Sequence, residues 1–330
     1  MTVIEANNKQ LSEPQNERKS KRASKLLFIL AAMGPGIITA MAGNDAGGIA
    51  TYSTAGANFG FSTLWVFPVM CIMLIVAQST ASKMGAVTGK GFSALIRESF
   101  GIRLTAFAMF VLLIGNTATA VSEFAGIASG MELFGVSKYI SVPIAAAAVW
   151  FLVVNGNYKR VEKVFLILSC VFITYFFAGV IAGPNWGDAL SHTVVPHMQT
   201  DTEFIRLIIA MVGTTVAPWM LFFQQSNVVE KGLGANKRDL KADLLSGKVD
   251  AVAGSVVAML VAWFIVVTTG AVLFPEGVQI ETAQDAASAL VPFAGEYAAA
   301  LFAVGIVGAS FLASCVLPLT TSFVICEAFG

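Results

Sequence analysis

The sequence contains little charge and little histidine. Only 12% of its 330 residues are Asp, Glu, Lys or Arg, and it has two histidines, whereas about a quarter of the residues in a soluble domain are charged. This deficit excludes an ordinary soluble enzyme. The 20 basic residues are balanced by 20 acidic ones, so the chain has no basic excess for binding nucleic acid phosphates.

Cysteine is also scarce. The four cysteines lie in apolar runs without metal-ligand spacing, which argues against a disulfide framework and against a zinc site. The chain shows no nucleophile paired with a base and no phosphate-binding loop. We therefore predict that the protein is not an enzyme and holds no resident cofactor.

Long apolar runs are what the sequence has in abundance. Hydrophobic residues make up 56% of the chain, and a membrane helix needs about 20 mostly apolar residues. We predict an all-α integral membrane protein in a lipid bilayer with about eight transmembrane helices. The eight stretches are 26–52, 61–82, 104–134, 139–155, 161–181, 204–229, 249–274 and 294–329.

Lys and Arg are distributed unevenly between the two sets of loops. Cytoplasmic loops are enriched in these residues, and one set of loops has only Lys138 and Arg206. We therefore predict a multi-pass protein of a bacterial cell membrane, with residues 1–25 as a disordered cytoplasmic tail. Asp250, beside Lys248 at the inner end of the seventh stretch, is expected to anchor at the membrane interface.

The first stretch is interrupted by an acid and three glycines, in the segment Gly43-Asn44-Asp45-Ala46-Gly47-Gly48. Glycine weakens a helix, and a charge at mid-bilayer costs at least about 2.5 kcal/mol on insertion scales. Such residues usually face a polar cavity, so Asp45 is a candidate functional residue. The alternative is a structural carboxylate paired with a buried donor.

The sixth stretch is interrupted at Pro218. Proline has no N–H, so the carbonyl of Thr214 loses its helical partner and must find another donor or a cation. A simple proline kink is the alternative. Interruptions at corresponding places in two inverted halves indicate a midplane substrate site in a secondary transporter, and a carboxylate beside free carbonyls favours a cation.

The segments around these interruptions resemble the natural resistance-associated macrophage protein (Nramp) family of divalent-metal transporters. The similarity runs from Gly34 through Asp45 to Trp65 and recurs in the third, sixth and eighth stretches. It implies a LeuT-type inverted-repeat fold with helices one and six unwound at mid-membrane. It also implies a divalent metal ion as the substrate.

Both signature motifs of the family are altered in this chain. Where the family has Asp-Pro-Gly-Asn in helix one, the sequence keeps Asp45 but has Gly48 in place of the amide ligand. Where the family has Met-Pro-His in helix six, Ala217 replaces the thioether ligand. The family's carbonyl ligands fall on Ala42 and Thr214. The implied metal site thus comprises Asp45, Ala42, Gly48, Thr214 and Ala217.

The family's titratable groups are altered as well. Its two helix-six histidines fall on Trp219 and Gln224, and its helix-three Asp falls on Ala120, while the acid three residues later is kept as Glu123. Ala120 and Glu123 therefore mark a former proton path. Four residues are expected to line the cavity or support its ligands: Asn44, Thr215, Trp219 and Gln224.

These departures change the expected substrate. A thioether helps Mn²⁺ and Fe²⁺ compete with hard cations, whereas Mg²⁺ keeps several waters and is often bound by one or two carboxylates. The pattern resembles the Nramp-related magnesium transporters. We therefore expect import of partly hydrated Mg²⁺, and also of Mn²⁺, by alternating access without strong proton coupling, by a protein that functions as a monomer.

Other readings remain open. A proton-coupled Mn²⁺ or Fe²⁺ importer would tolerate the altered motifs, and a sodium-coupled transporter of organic solutes uses the same fold. A membrane sensor would not require paired helix breaks. The family needs at least ten helices, so we expect the chain to be a fragment. Its expected divisions are a first five-helix repeat at 26–182, an extracellular loop at 183–203, and helices six to eight of the inverted repeat at 204–330.

Overall fold

The computed structural model describes residues 34–156, 158–232, 240–280 and 282–330, and all regular secondary structure in these segments is helical. The predicted tail at 1–25 and the beginning of the first apolar stretch lie outside the described residues. The α-helices in these segments are α1 Pro35–Ala42, α2 Ala46–Phe59, α3 Val66–Thr88, α4 Phe92–Phe100, α5 Ile102–Glu132, α6 Lys138–Asn155, α7 Tyr158–Ser169, α8 Ile173–Ile181, α9 Trp186–Val194, α10 Thr202–Thr215, α11 Pro218–Glu230, α12 Leu240–Val272 and α13 Ala283–Phe329.

Seven spans among the described residues are long and apolar enough to cross a bilayer. One of them joins α7 and α8 through a short 3₁₀ turn, another joins α10 and α11, and α13 contributes its part from Gly295 onward, where φ is 82°. The first predicted stretch is not among the seven because it is divided into helices of 8 and 14 residues. Together with it, the seven spans account for the eight predicted stretches.

The structure differs from the prediction at one helix boundary and in one loop. Helix α12 begins at Leu240, nine residues before the predicted start at 249, because a helix can continue past the apolar segment with polar residues. Helix α9 lies in the predicted loop at 183–203, where Asn185 caps it by accepting a hydrogen bond from the backbone N–H of Asp188. Hydropathy locates the membrane segment and not the ends of the helix.

Helix α12 is the centre of the packing. It lies against α1, α2 and α3, and most of its apolar window is buried within the protein. Helix α13 packs against α5 and α8. The two halves of the divided first stretch are therefore held on a buried helix, which fixes the position of the break between them.

Glycines bring α1 and α12 to backbone contact. A Cβ atom on Gly254 would lie 2.6 Å from the carbonyl carbon of Gly36, and one on Gly36 would lie 2.8 Å from backbone atoms of Asp250 and Ala251. Side chains do not approach backbone atoms this closely. Neither glycine can therefore be replaced unless α1 moves away from α12.

We expect Gly254→Ala to lower the stability of the protein by about 1–3 kcal/mol, because overpacking a close contact forces the backbone apart. The measurement is the thermal unfolding midpoint of the purified protein in detergent. Gly115→Ala is the matched control, since a Cβ there meets nothing within 4 Å and alanine favours the helix. A lower midpoint in both variants, or in neither, would contradict the packing argument.

Candidate metal site

The break in the first membrane stretch is organised by Asp45. Helix α1 ends at Ala42 and α2 begins at Ala46. Asp45 is the N-cap of α2, with extended backbone (φ −74°, ψ −179°), and its Oδ1 accepts a hydrogen bond of 2.7 Å from the backbone N–H of Gly48. Asp is a preferred N-cap because its carboxylate satisfies an N–H that has no partner within the helix.

A second carboxylate reaches the same helix end. Glu123 of α5 is fully buried, and its Oε2 accepts a hydrogen bond of 3.1 Å from the backbone N–H of Ala46. The positive end of the α2 dipole favours the negative charge of Asp45. Asp45 and Glu123 thus each satisfy one of the first N–H groups of α2, and the N–H that Glu123 accepts belongs to Ala46, the residue after Asp45.

The break in the sixth membrane stretch follows from Pro218. Helix α10 ends at Thr215, Val216 and Ala217 leave helical geometry, and Pro218 opens α11 at its first turn. Proline is favoured there because the missing N–H would have had no helical partner. The carbonyl of Thr214 consequently has no N–H donor four residues along, as predicted from the sequence.

The two breaks lie against each other. A Cβ atom on Gly48 would be 3.3 Å from both Oδ1 of Asp45 and Oγ1 of Thr214, so these three residues are immediate neighbours. One turn further along α2, the hydroxyl groups of Tyr52 and Thr215 are 2.8 Å apart. The structure therefore brings Asp45, Gly48 and Thr214 together, and a side chain at position 48 would fill the space between the two breaks.

A cavity of about 1130 Å³ opens beside this junction, between α4, α5, α10 and α11. Asp45 and Glu123 are among its lining residues, together with Thr214, Ala217 and Trp219. Within the described segments no Lys or Arg forms an ion pair with Asp45. The carboxylate therefore faces an open cavity and not a permanent cationic side chain.

The other predicted site residues hold contacts away from the cavity wall. The side chain of Asn44 donates to the carbonyl of Ala258, and Oε1 of Gln224 accepts from the hydroxyl of Thr39. Thr215 lies behind the break, where its hydroxyl bonds the carbonyl of Met211 and the hydroxyl of Tyr52. Two small residues remain: Ala42 is buried at the end of α1, and Ala120 packs against the core.

The atoms around Asp45 that could bind a metal ion are mainly oxygen atoms. Across the part of the chain that the structure describes, no three His, Cys, Asp or Glu side chains are grouped so that they could hold a metal ion. A carboxylate, a hydroxyl and main-chain carbonyls at the ends of α1 and α10 are the available ligands. Carboxylates and carbonyls bind hard divalent cations, and helix C-termini carry partial negative charge.

One sulfur atom near the break was not predicted from the sequence. A Cβ atom on Gly43 would lie 2.6 Å from Cε and 3.2 Å from Sδ of Met220, so the thioether packs on the unwound segment between α1 and α2. Met220 follows Ala217 by three residues, close to one helical turn. This spacing is the sequence signal that could have identified Met220, because residues three apart lie on the same face of a helix.

Relatives among curated proteins are divalent metal cation transporters named MntH. The chain is 27% identical over 317 residues to the one from Verminephrobacter eiseniae, covering 94% of this chain and 70% of that protein. It is 23% identical over 296 residues to the one from Caldanaerobacter subterraneus, covering 88% of this chain and 70% of that protein. The names of these relatives describe metal-ion transport and not catalysis.

The fold matches a solved structure of the Eremococcus coleocola manganese transporter in complex with an aromatic bis-isothiourea substituted compound. The TM-score is 0.80 at 20% identity, over 91% of this chain and 66% of that chain. The present chain thus spans just under two thirds of that transporter's length. This likeness confirms the predicted LeuT-type transporter fold.

A family comparison agrees with both results. The model of the natural resistance-associated macrophage protein-like (Nramp) family matches residues 36–330, which include both helix breaks and every candidate site residue. Over nearly its whole length, therefore, this chain belongs to the Nramp family, whose members are metal-ion transporters.

Proposed function

We propose that this protein transports divalent metal cations across the membrane, with Mn²⁺ as its substrate, and that Asp45 is the anionic ligand. The observation that carries the proposal is the position of Asp45 at the junction of two broken helices, facing a cavity and free of ion pairs with Lys or Arg in the described segments. An intramembrane acid in this setting marks an ion pathway.

The ligand set follows from the helix ends. Gly48 N–H occupies one acceptor position of the Asp45 carboxylate, and an ionised carboxylate has about four such positions, so the others remain for a cation. The carbonyl of Ala42 ends α1, and Thr214 contributes a hydroxyl and a carbonyl without a helical N–H donor. Unwound backbone of this kind coordinates cations in transporters with broken helices.

The identity of the ion rests on two opposing arguments. The absence of side-chain ligands at Gly48 and Ala217 favours a hydrated Mg²⁺, which is the substrate expected from the sequence. The relatives are named for divalent metals and manganese, and their names give the Mg²⁺ preference no support. Met220 supports Mn²⁺ because its thioether packs on Gly43 of the unwound segment, and soft donors favour Mn²⁺ and Fe²⁺ over Mg²⁺.

Glu123 supports coupling to protons, contrary to the expectation that the proton path is lost. It is buried, lines the cavity and bonds the backbone N–H next to Asp45. A divalent cation arriving at Asp45 favours the ionised form of a neighbouring carboxyl group. We therefore propose that Glu123 releases its proton when the metal binds, which links metal entry to proton movement.

Asp45→Asn is expected to reduce Mn²⁺ uptake into proteoliposomes at least tenfold, because it removes the charge, while asparagine still caps α2. The matched control is Asp201→Asn, the same change at the exposed N-cap of α10, which should leave uptake unchanged. In the unmodified protein, excess Mg²⁺ should compete poorly with Mn²⁺. Equal inhibition by Mg²⁺ would favour Mg²⁺ as the substrate, and normal uptake by Asp45→Asn would refute the role of Asp45 as the anionic ligand.

Met220→Leu is expected to lower the preference for Mn²⁺ over Mg²⁺ by about tenfold, the lower end of what losing a group near a metal site costs. Leucine has a similar volume but no sulfur, so packing on Gly43 is largely kept. The measurement is the ratio of uptake rates for the two ions. Met211→Leu serves as control because Met211 is buried in α10; an equal shift in both variants would show that sulfur at position 220 is irrelevant.

Glu123→Gln is expected to abolish Mn²⁺-dependent acidification of the liposome interior while uptake of Mn²⁺ continues. Glutamine can still accept the hydrogen bond of Ala46 N–H but cannot release a proton. Internal pH is followed with a trapped dye. If the unmodified protein moves no protons, transport is uncoupled; if Glu123→Gln still acidifies the liposomes, another group carries the proton.

A further inference from the structure

Two hydroxyl groups join the helices on either side of the candidate metal site. Tyr52 lies on α2, four residues after Gly48 and therefore on the same helix face, and Thr215 is the last residue of α10. Both side chains are buried, and their hydroxyl oxygens are 2.8 Å apart. This contact lies one turn along α2 from the point where Asp45 and Thr214 flank Gly48.

The direction of this hydrogen bond follows from the protons available. The hydroxyl of Thr215 has one proton, and its oxygen lies 2.6 Å from the carbonyl oxygen of Met211 and 3.3 Å from Sδ of Met70. A carbonyl is a stronger acceptor than a thioether, so Thr215 donates to Met211 and Tyr52 donates to Thr215. Loss of the Tyr52 hydroxyl would therefore break the connection between α2 and α10 and leave the bond within α10 intact.

Helix α3 holds the Tyr52 side chain from behind. The ring of Phe67 lies 5.8 Å from the ring of Tyr52, measured between centroids, and Met70 of the same helix contacts Thr215. Helix α3 in turn packs along the buried helix α12. Because a tyrosine side chain has only two χ angles, packing of its ring fixes the position of its hydroxyl.

The end of α10 requires such a fixed point. Val216, with φ −119° and ψ 64°, leaves helical geometry directly after Thr215, and helix ends fray where the backbone bonds stop. The carbonyl of Thr214 has no helical donor beyond this point, so its position depends on what holds the neighbouring Thr215. Asp45 caps the helix that carries Tyr52. The hydroxyl contact thus sets the position of Thr214 relative to Asp45.

The width of the space between Asp45 and Thr214, here called the ligand gap, affects which cation fits. Ca²⁺ binds oxygen ligands at about 2.3–2.6 Å, and Mg²⁺ binds them at about 2.0–2.1 Å. With ligands on both sides, Ca²⁺ needs a gap about 0.5–1 Å wider than a small divalent cation does. Mn²⁺ is likewise smaller than Ca²⁺. A ligand gap of fixed width therefore discriminates against Ca²⁺, whereas a gap that can widen does not.

We propose that Tyr52 is a positioning residue for the metal site, and that its hydrogen bond to Thr215 keeps the ligand gap too narrow for Ca²⁺. The inference rests on the proposed metal site at Asp45 and adds to it the basis of size selection. Tyr52 acts through Thr215 on the carbonyl of Thr214 and does not itself contact the ion.

The test is Tyr52→Phe, which removes the hydroxyl and keeps the ring. We expect uptake of Ca²⁺ relative to Mn²⁺ into proteoliposomes to rise about fivefold, the factor by which one hydrogen bond typically shifts an equilibrium. In purified protein in detergent, Ca²⁺ should also displace bound Mn²⁺ about fivefold more effectively. A general loss of stability would weaken binding of both ions without changing this ratio.

Three further variants separate the hydrogen bond from other effects. Thr215→Val removes the second hydroxyl at similar volume and should raise the ratio as Tyr52→Phe does, whereas Thr215→Ser keeps the hydroxyl and should not. Tyr175→Phe is the matched control and should leave the ratio unchanged. Tyr175 is fully buried like Tyr52, but within the described segments its hydroxyl has no hydrogen-bond partner.

The outcomes distinguish this inference from the proposed function. A higher ratio in Tyr52→Phe and Thr215→Val, with Tyr175→Phe and Thr215→Ser unchanged, supports the inference. If Tyr52→Phe fails to fold, the two Thr215 variants decide. An unchanged ratio, an equal rise in Tyr175→Phe, or equal uptake of Ca²⁺ and Mn²⁺ by the unmodified protein overturns it. Any of these results combined with loss of Mn²⁺ uptake in Asp45→Asn leaves the metal site itself intact.

Discussion

A helix that stops inside the apolar part of a membrane protein must satisfy the backbone groups it releases, and much of this structure serves that requirement. At the start of α2, the carboxylates of Asp45 and Glu123 accept two of the free N–H groups. At the end of α10, Pro218 removes a donor that would otherwise continue the helix. The first break supplies negative charge, and the second supplies a carbonyl without a helical N–H donor. The constraint that stabilises the breaks thus also brings together the groups on which the proposed cation site rests.

The features that depend on local sequence could be predicted, because their causes lie within a few residues. The apolar runs located the membrane spans, the glycines around Asp45 located one break, and Pro218 located the other. The contact of Glu123 with Ala46 joins residues 77 positions apart, and that of Asp250 with Gly34 joins residues 216 apart. Neither contact is marked by a periodic pattern of residues in the sequence. Asp250 was misplaced at the membrane interface because sequence alone shows its proximity to Lys248 and not the N–H groups of Gly34 and Gly36 that justify its burial.

The altered motifs illustrate the limits of reading a site position by position. Ala217 and Gly48 remove two ligands, and counting these losses favours a wide site for hydrated Mg²⁺. In the folded chain, however, the thioether of Met220 occupies the surface of Gly43, next to the segment from which ligands were lost. Residues about one turn apart lie on the same face of a helix. A metal ligand lost at one position can therefore be replaced by a side chain one turn further along. A side chain near the break can therefore come from another position on α11, which a comparison of single motif positions does not reveal.

Helix α1 depends on its surroundings for its position. It is only eight residues long, too short to be stable without its surroundings, and its two ends are held in different ways. Its start is held by the carboxylate of Asp250 and lies beside the Lys231–Glu162 ion pair, while its end leads into the break that contains Asp45. A cation bound at Asp45 is attracted by the negative end of α1, so metal binding and the fastening at Asp250 act on the same short helix from opposite ends. Because α1 packs on α12 through close backbone contacts at Gly36 and Gly254, its position depends on these two glycines as well as on its two ends.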